Sequence, residues 1–365
     1  MSETVLKKEE QVAFALRSLY KKYGYLPYKM SKFEAYDLYA SNKDFLVGDG
    51  VITFTDTDGK LLALKPDVTL SIIKNGSDDG AKQKVYYNEN VYRISGETKQ
   101  FKELMQVGLE CIGDIGVYDI YETLVLACAS LAEISDDFVL DISHLGVLSG
   151  VLDEVGAGEA FNRAALRLVA EKNEHELQTL CAAYSVAQAN TDKLLTLVRS
   201  YGDANAVLNA LAPVCEAGKA AEAYAELKTL CGLLQKGGYA DKIRLDFSVV
   251  NDMKYYNGIV FKGFIDGVFK SVLSGGRYDR LMARMKRKTG AIGFAVYLDL
   301  LEGFQRQRSA YDLDTLVLYD GNTSLEELIR AVDGAVAAGE TVRADKAQGK
   351  LRVKKLVDLT TGGRK

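Results

Sequence analysis

The stretch Glu103-Leu-Met-Gln-Val-Gly-Leu-Glu-Cys111 carries most of the information about the fold of this chain. Side chains alternate across a β-strand, so one face takes the apolar residues Met105, Val107, Leu109 and Cys111. The opposite face takes Gln106, Gly108 and Glu110. A glycine between two hydrogen-bonding side chains leaves an open floor where a ligand can approach the backbone. For the strand alone, a polar face in solvent is the simpler interpretation, and a ligand site is the alternative.

Strand patterns lie on both sides of this stretch in the sequence. Alternation and turn residues from 51 to 64 and from 85 to 113 indicate antiparallel strands. Similar patterns return at 243–250 and 258–264, after an alanine-rich region whose apolar residues recur at helical spacing. The sheet is therefore split in sequence by a helical insertion.

The sequence predicts an α+β fold with three parts. A mixed antiparallel sheet flanked by helices takes residues 1–142 and 241–305, and the helical insertion takes residues 143–240. Residues 306–365 follow the order strand, helix, strand, strand, and we expect them to form a small C-terminal α/β unit.

Composition excludes several classes of protein. The chain has 365 residues, of which 48% are hydrophobic and 26% are charged, and these are ordinary values for a soluble globular protein. No apolar run reaches the ~20 residues that a membrane helix needs, and the N-terminus lacks the pattern of a signal peptide. We therefore expect a cytoplasmic protein.

Cysteine usage and charge narrow the chemistry further. Five scattered cysteines without a Cys-x-x-Cys pair indicate reduced, buried thiols, and a total of two histidines argues against a metal site. The pair, His144 and His175, has no triad-like neighbours, so we expect structural roles. A net charge of −4 without a long basic tract argues against nucleic-acid binding as the main task. The basic run from Arg284 to Lys288 is typical of a solvated helix face, with contact to nucleic acid or an acidic partner as the alternative.

The segment Leu64-Lys-Pro-Asp-Val-Thr69 follows a predicted strand and begins a predicted helix. Helix capping by Asp67 is the common explanation for an acidic residue at such a position. The alternative is that the carboxylate of Asp67 and the hydroxyl of Thr69 together bind a ligand ammonium.

Two later segments also contain side chains suited to a ligand. Tyr255 and Tyr256 lie beside a predicted turn, where core packing would usually explain them. Ser274-Gly-Gly-Arg-Tyr-Asp279 has the composition of a glycine-rich loop with a fixed cation, and such loops can approach a carboxylate or a phosphate closely.

Taken in order, these segments resemble the catalytic core of the class II aminoacyl-tRNA synthetases, and specifically the histidyl-tRNA synthetase family. The resemblance runs from about residue 8 to residue 304. It rests on an ordered series of motifs, namely Tyr23-Gly24-Tyr25, Phe33-Glu34, Leu64-Lys-Pro-Asp-Val-Thr69, Tyr92-Arg93, Gln106-Val-Gly-Leu-Glu110, Tyr255-Tyr-Asn-Gly258, Ser274-Gly-Gly-Arg-Tyr-Asp279 and Gly293-Phe-Ala295. The implied fold is the mixed antiparallel sheet of that class with its flanking helices.

The resemblance also implies a histidine-binding site. In that family, residues that match Asp67, Thr69 and Gln106 hold the amino-acid backbone, and residues that match Glu110 and Tyr255 recognise the imidazole. The implied site is completed by Arg93 and Tyr256 and by a possible pocket loop of Gly275, Gly276, Arg277 and Tyr278. No metal and no cofactor are implied.

Catalytic positions depart from the family pattern. Asn251 stands where the family has a catalytic arginine, and Leu300 replaces the arginine of the third class II signature. Ser31-Lys32 replaces a proline before the first signature, and the C-terminal part is shorter than an anticodon-binding domain. Preorganised charges of this kind are typically worth 10² or more in rate each, so we expect no efficient adenylate formation and no catalytic residues.

A synthetase-like chain with these losses resembles the regulatory subunits of ATP phosphoribosyltransferase, which accompany a short catalytic subunit in histidine biosynthesis. This resemblance implies a non-catalytic subunit that senses histidine, a homodimer formed through the N-terminal region, and a hetero-oligomer with the catalytic subunit. Two alternatives stay open. A divergent active histidyl-tRNA synthetase would show ATP–pyrophosphate exchange, and an RNA-binding paralogue would bind tRNA in a salt-sensitive manner.

Overall fold

The computed structural model describes residues 6–42, 50–76, 81–95, 98–249, 255–301 and 311–361. The chain forms two compact units, Met1–Phe304 and Gln305–Lys365.

The first unit contains helices and strands in mixed order. Its helices are α1 (Lys8–Lys22), α2 (Tyr36–Ala40), α3 (Thr69–Asn75), α4 (Val117–Ala132), α5 (Leu145–Val155), α6 (Glu159–Ala170), α7 (Glu174–Ala183), α8 (Gln188–Arg199), α9 (Ala204–Leu211), α10 (Gly218–Leu234) and α11 (Asp279–Arg284). Its strands are β1 (Leu26–Pro27), β2 (Phe33–Ala35), β3 (Thr53–Thr55), β4 (Leu61–Leu64), β5 (Gln83–Ile94), β6 (Phe101–Gly113), β7 (Phe138–His144), β8 (Tyr201–Asp203), β9 (Ile243–Asp246), β10 (Ile259–Ile265), β11 (Leu273–Arg277) and β12 (Gly290–Tyr297). A π-helical turn, Gln235–Tyr239, continues α10, and a short 3-10 helix, Leu298–Leu301, follows β12.

Most of these strands form one mixed sheet, in the order β1-β5-β6-β12-β11-β10-β7-β9-β8. The pairs β1–β5 and β7–β9 are parallel, and the other neighbours are antiparallel. A second, small antiparallel sheet has the order β2-β4-β3. The predicted α+β architecture, a mixed sheet with flanking helices, is confirmed.

The apolar face of β6 lies in the main core of the unit. Val107, Leu109 and Cys111 are fully buried and belong to the same hydrophobic cluster as residues of α1 and α4. Helix α1 joins this cluster through Leu16 and Tyr20, which lie one turn apart on its buried side. The apolar residues of β6, which recur with the period of a strand, and those of α1, which recur with the period of a helix, therefore pack into one core.

The polar face of β6 is also buried, so the interpretation of a solvated face is wrong. Gln106 and Glu110 are only 4% and 2% exposed. Helix α3 and the residue before α11 lie on this side, with Leu70 and Tyr278 in a second buried cluster. The alternation of β6 identified which residues share a face, but not that chain segments distant in sequence cover both faces.

Two other regions differ from the sequence predictions. Residues 143–240 contain α5 to α10, but they also contain β8, which pairs antiparallel with β9 at the edge of the sheet. The glycine-rich segment predicted as a loop is instead mostly strand, because residues 274–277 belong to β11, which pairs with β10 and β12. Glycine fits in this strand because atoms of the neighbouring strands fill the space that a side chain would need. A Cβ atom at Gly275, for example, would collide with the backbone carbonyl oxygen of Gly293 and with Phe294.

All five cysteines are buried and unpaired, as their spacing predicted. Within the residues that the structure describes, no helix combines the length and the apolar character needed to cross a membrane.

The second unit is a small α/β structure. It consists of β13 (Leu313–Leu318), α12 (Leu325–Ala337), β14 (Val342–Asp345) and β15 (Val353–Asp358). The strands form a parallel sheet in the order β14-β13-β15, and the central strand buries Leu316 and Val317 completely. The predicted order of strand, helix, strand, strand is confirmed.

Candidate functional site

The floor of the candidate site is a patch of small residues across three neighbouring strands. On β6, Gly108 lies opposite Ala295 of β12, and Glu110 lies opposite Gly293 of β12. On β11, Gly276 also lies opposite Gly293. Residues directly opposite one another in antiparallel strands share a face of the sheet. This face therefore has a region without bulky side chains, on which larger groups can lie.

Two of the floor glycines make room for specific side chains. A Cβ atom at Gly293 would collide with Oε2 of Glu110. A Cβ atom at Gly108 would collide with the hydroxyl group of Tyr87, which projects from β5. The absence of these Cβ atoms lets the carboxylate and the phenol lie against the sheet.

Glu110 is the central group of the site. Its Oε1 accepts a hydrogen bond of 2.8 Å from the hydroxyl of Thr69, the first residue of α3. Its Oε2 accepts a hydrogen bond of 2.5 Å from the hydroxyl of Tyr278, which directly precedes α11. Both donors come from elements that are distant from β6 in sequence. The carboxylate is therefore fixed in position by two independent parts of the chain.

Burial raises the pKa of the Glu110 carboxyl to about 8. The hydrogen bonds from Tyr278 and Thr69 favour the ionised form and lower this pKa, while the neighbouring charge of Asp67 raises it. The carboxyl therefore titrates near neutral pH, in the range where a ligand imidazole also titrates.

Asp67 combines a structural role with a place in the site. Its Oδ1 accepts a 2.9 Å hydrogen bond from the backbone N–H of Leu70, which is the capping role expected at the start of α3. Burial raises the pKa of the Asp67 carboxyl, and the hydrogen bond from Leu70 and the charge of Arg93 oppose this rise. Arg93 also donates from Nε to the carbonyl oxygen of Pro66 at 3.0 Å. Capping and ligand binding are compatible here, because a carboxylate can accept several hydrogen bonds.

Three tyrosines form an aromatic wall beside Glu110. The ring centroid of Tyr255 lies 4.7 Å from that of Tyr256 and 5.6 Å from that of Tyr278. Burial raises the pKa of Tyr255 and of Tyr278 well above the ordinary value, so both remain neutral phenols. Tyr256 lies on the glycine floor, where a Cβ atom at Gly276 would be 2.8 Å from its Cδ1 atom. An aromatic wall beside an acceptor suits a flat ring that carries N–H groups.

Gln106 lies on the same face of β6, opposite Tyr297 of β12. The residue is only 4% exposed. Its amide group offers both a hydrogen-bond acceptor and two N–H donors. Gln106 is therefore suited to contact a polar ligand.

The predicted pocket loop separates into two faces. Gly276 and Tyr278 lie on the side of Glu110, whereas alternation along β11 places Gly275 and Arg277 on the opposite side. Arg277 donates from Nε to Oδ2 of Asp279 at 2.7 Å. The structure therefore does not bring Arg277 or Gly275 to the carboxylate of Glu110.

The structure describes one of the two residues that depart from the family pattern at catalytic positions. Asn251 lies outside the described residues. Leu300 lies in the short 3-10 helix after β12 and is half-buried against the main core. Its apolar side chain is thus used for packing.

Sequence analysis missed two buried residues near the site. Tyr87 had a detectable signal, because a large residue opposite a glycine in a predicted hairpin indicates that the two fit together. Lys65 had none, because lysine is expected in solvent. It is fully buried, and its Nζ forms an ion pair with Glu89 of β5.

The arrangement offers hydrogen-bond acceptors, neutral donors and an aromatic wall. Among the residues that the structure describes, no group of three or more His, Cys, Asp or Glu side chains is placed to hold a metal ion. The chemistry of these groups suits the binding of a small polar molecule with a flat, N–H-bearing ring and an ammonium group.

Comparisons with known proteins point to one family. The family model described as Histidyl-tRNA synthetase matches residues 1–301. The ATP phosphoribosyltransferase regulatory subunit of Alkaliphilus metalliredigens is 27% identical over 285 residues, which cover 76% of this chain and 72% of that protein. The protein of the same name from Oceanobacillus iheyensis is 26% identical over 298 residues, which cover 80% of this chain and 73% of that protein.

Solved structures show the same fold. An ATP phosphoribosyltransferase regulatory subunit/histidyl-tRNA synthetase from Bacillus halodurans superposes with a TM-score of 0.78 at 23% identity, over 97% of this chain and 94% of that chain. A chain of the ATP phosphoribosyl transferase (HisG:HisZ) complex from Thermotoga maritima superposes with a TM-score of 0.63 at 18% identity, over 78% of this chain and 96% of that chain.

Proposed function

We propose a function for this chain from one premise: it belongs to the histidyl-tRNA synthetase family, whose model matches residues 1–301. The chain is a non-catalytic regulatory subunit of ATP phosphoribosyltransferase in histidine biosynthesis. It is needed for the activity of a short catalytic subunit, and it senses histidine for feedback inhibition.

The names of the relatives support the regulatory role. The two relatives compared above are both named ATP phosphoribosyltransferase regulatory subunit, and each alignment covers about three quarters of both proteins. The Thermotoga maritima structure is of a complex named for ATP phosphoribosyl transferase, and one of its chains shares this fold. A hetero-oligomer with the catalytic subunit follows from this role.

The geometry around Glu110 is the observation that carries the histidine assignment. A buried carboxylate, fixed by Thr69 and Tyr278 and bordered by the ring of Tyr255, can accept a hydrogen bond from an imidazole N–H. Asp67 lies near enough to influence both Glu110 and Tyr255 electrostatically, and its carboxylate is suited to the ligand ammonium. The amide of Gln106, on the same face of β6 as Glu110, is suited to the ligand's polar backbone atoms.

The chemistry at position 300 argues against adenylate formation. A leucine packed against the core supplies no positive charge to the phosphates of ATP, and such charges dominate the catalysis of this kind of reaction. Asn251, likewise uncharged, adds to the argument from sequence alone. A divergent but active histidyl-tRNA synthetase is thus the weaker alternative.

The remaining parts of the proposal concern assembly and location. We place a homodimer, formed through the N-terminal region, inside the hetero-oligomer, and we place the complex in the cytoplasm. Nucleic acid is not proposed as a partner, because Arg284 and Arg287 of the basic run donate hydrogen bonds to backbone carbonyl groups of this chain.

The test uses the complex of this chain with a short ATP phosphoribosyltransferase. Glu110→Ala should still co-purify with the catalytic subunit and support its activity, while histidine inhibition is lost. Removing one charged partner from a buried hydrogen-bonded site costs about 2–5 kcal/mol, so the inhibitory histidine concentration should rise well over tenfold.

Glu103→Ala is a matched control, because Glu103 is an exposed glutamate of the same strand. It should leave inhibition unchanged. If the Glu110→Ala complex stays as sensitive to histidine as the parent complex, the regulatory site lies elsewhere. Histidine-dependent ATP–pyrophosphate exchange by the parent chain would instead support the synthetase alternative.

A further inference from the structure

Helix α3 is a seven-residue helix that is anchored at both of its ends. At its first residue, Thr69 donates a hydrogen bond to Glu110. At its last turn, a terminal nitrogen of Arg287 donates to three backbone carbonyl oxygens, those of Ile73 at 2.7 Å, Lys74 at 3.0 Å and Gly76 at 2.9 Å. The helix thus connects the candidate site to a residue from a distant part of the sequence.

The contacts of Arg287 correct the prediction that the run from Arg284 to Lys288 is a solvated helix face. The last carbonyl groups of a helix have no partner within the helix, and a cation near them is favourable. Arginine suits this position because its planar group carries several donors, whereas lysine is a compact point charge. The neighbouring cations Lys286 and Lys288 are exposed.

The segment 278–287, which ends at Arg287, begins at a residue that contacts Glu110. Tyr278 precedes α11 directly and donates to Glu110, and Arg287 lies just after α11. Thr69 and Tyr278 therefore reach the two oxygens of one carboxylate, and Arg287 connects the elements that carry them. The contacts form a closed circuit through β6, α3 and the segment 278–287.

We propose that Arg287 is a positioning residue for the effector site. It holds α3 against the segment that carries Tyr278, so that both hydroxyl donors stay in place on Glu110 before histidine binds. The inference rests on the proposed function, because it assigns this preorganised carboxylate to histidine binding.

Loss of Arg287 has a specific consequence for Glu110. Without the guanidinium group, the C-terminal carbonyl groups of α3 lose their partner and the helix is free to shift. Because the hydrogen bond from Thr69 lowers the pKa of Glu110, weakening that bond raises this pKa further. Histidine binding should then weaken, and its dependence on pH should move toward higher pH.

The test compares variants of the full chain by calorimetry with free histidine. Partners that orient a binding group, measured at metal sites, are commonly worth about 10- to 100-fold in affinity, so Arg287→Ala should weaken histidine binding about tenfold. Arg287→Lys keeps the positive charge but not the planar group, so its histidine affinity should lie between that of Arg287→Ala and that of the parent. Lys286→Ala and Lys288→Ala remove exposed cations from the same run and should bind histidine like the parent.

A double-mutant cycle separates positioning from a general loss of stability. If Arg287 acts through α3, Arg287→Ala should cost little further affinity in a Thr69→Ala background. The pH profile gives an independent readout, because the midpoint for Arg287→Ala should lie above that of the parent. Additive losses, or a loss of affinity with no shift of the profile, would overturn the inference.

Amide hydrogen exchange tests the same inference without a ligand. The amides of residues 69–75 should exchange faster in Arg287→Ala than in Lys286→Ala, and exchange equal to that of the control would count against the positioning role. If the parent chain fails to bind histidine at all, the proposed effector is wrong. Hydrogen exchange then still decides whether Arg287 holds α3.

Discussion

The two faces of β6 are equally buried but differ in how they are filled. The side that contains Leu109 packs side chain against side chain in the main core, as in most protein interiors. The side that contains Glu110 is filled by a carboxyl group, two hydroxyl donors and a floor of glycines. One strand thus separates a face that contributes to stability from the face that carries the candidate site.

The difference shows what each face requires of its residues. On the core side, any apolar side chain of suitable volume preserves most of the packing. On the site side, Gly293 has to lack a side chain because the carboxylate of Glu110 occupies that space. The position of one buried carboxylate therefore constrains the residue opposite it on the neighbouring strand.

The largest expected effect concerns Glu110 on the site face, whose contribution to stability should decrease as the pH rises. The pKa of Glu110 in the folded chain is about 8, above its ordinary value of 4.5, so the folded state binds more protons between these two values. The contribution of Glu110 to the free energy of unfolding should be fully present below pH 4.5 and should be lost as the pH rises through about 8.

Glu110→Gln tests this expectation, because the amide does not titrate. Between pH 5 and pH 8, the parent should lose up to about 4 kcal/mol of unfolding free energy relative to Glu110→Gln, measured by urea denaturation. Asp67, whose pKa is also raised, is present in both proteins, and its charge raises the pKa of Glu110, so the difference between the two profiles includes the interaction of this pair. Parallel pH profiles for the two proteins would show that the buried carboxyl is not the cause.

The next effect should lie on the core face. Leu109→Ala removes a fully buried side chain from the main cluster and leaves a cavity, so the free energy of unfolding should fall by about 3 kcal/mol. Histidine affinity, measured by calorimetry well below the unfolding temperature, should change less than about twofold because Leu109 points away from the site. A tenfold change in affinity would mean that the two faces are not independent.

Much of the fold could be predicted from the sequence because the decisive patterns are local. Alternation in β6 and the helical spacing of Leu16 and Tyr20 identified the elements and the residues that share a face. The strand β8 was missed because three residues with a central glycine are too short to show a period. The glycines of β11 resembled a loop because the side chains that fill their space come from other strands.

The site was predictable to a smaller extent, and only where a residue matched a motif. Glu110, Thr69 and Tyr278 were named in advance, and the structure brings them into hydrogen-bond contact. Arg277 was also named, but strand alternation places it on the opposite face. Arg287 belonged to a basic run without any signal, because its three carbonyl partners lie more than 200 positions earlier in the sequence.

The smallest expected effect compares one substitution on each face. Gly293→Ala and Gly275→Ala both add a Cβ atom into occupied space in neighbouring strands, so both should lower the free energy of unfolding by about 1–3 kcal/mol.

The two variants should differ in histidine binding. The atom added at Gly293 displaces the carboxylate of Glu110, so histidine affinity should fall about tenfold, which is about 1.4 kcal/mol. The atom added at Gly275 meets the backbone carbonyl oxygen of Gly293 and the Cβ atom of Phe294 and does not meet the carboxylate of Glu110, so affinity in the folded protein should stay within about twofold of the parent. Calorimetry with histidine on both variants tests this difference. Equal losses of affinity would show that the sheet transmits any packing defect to the site. The division between the faces of β6 would then be wrong.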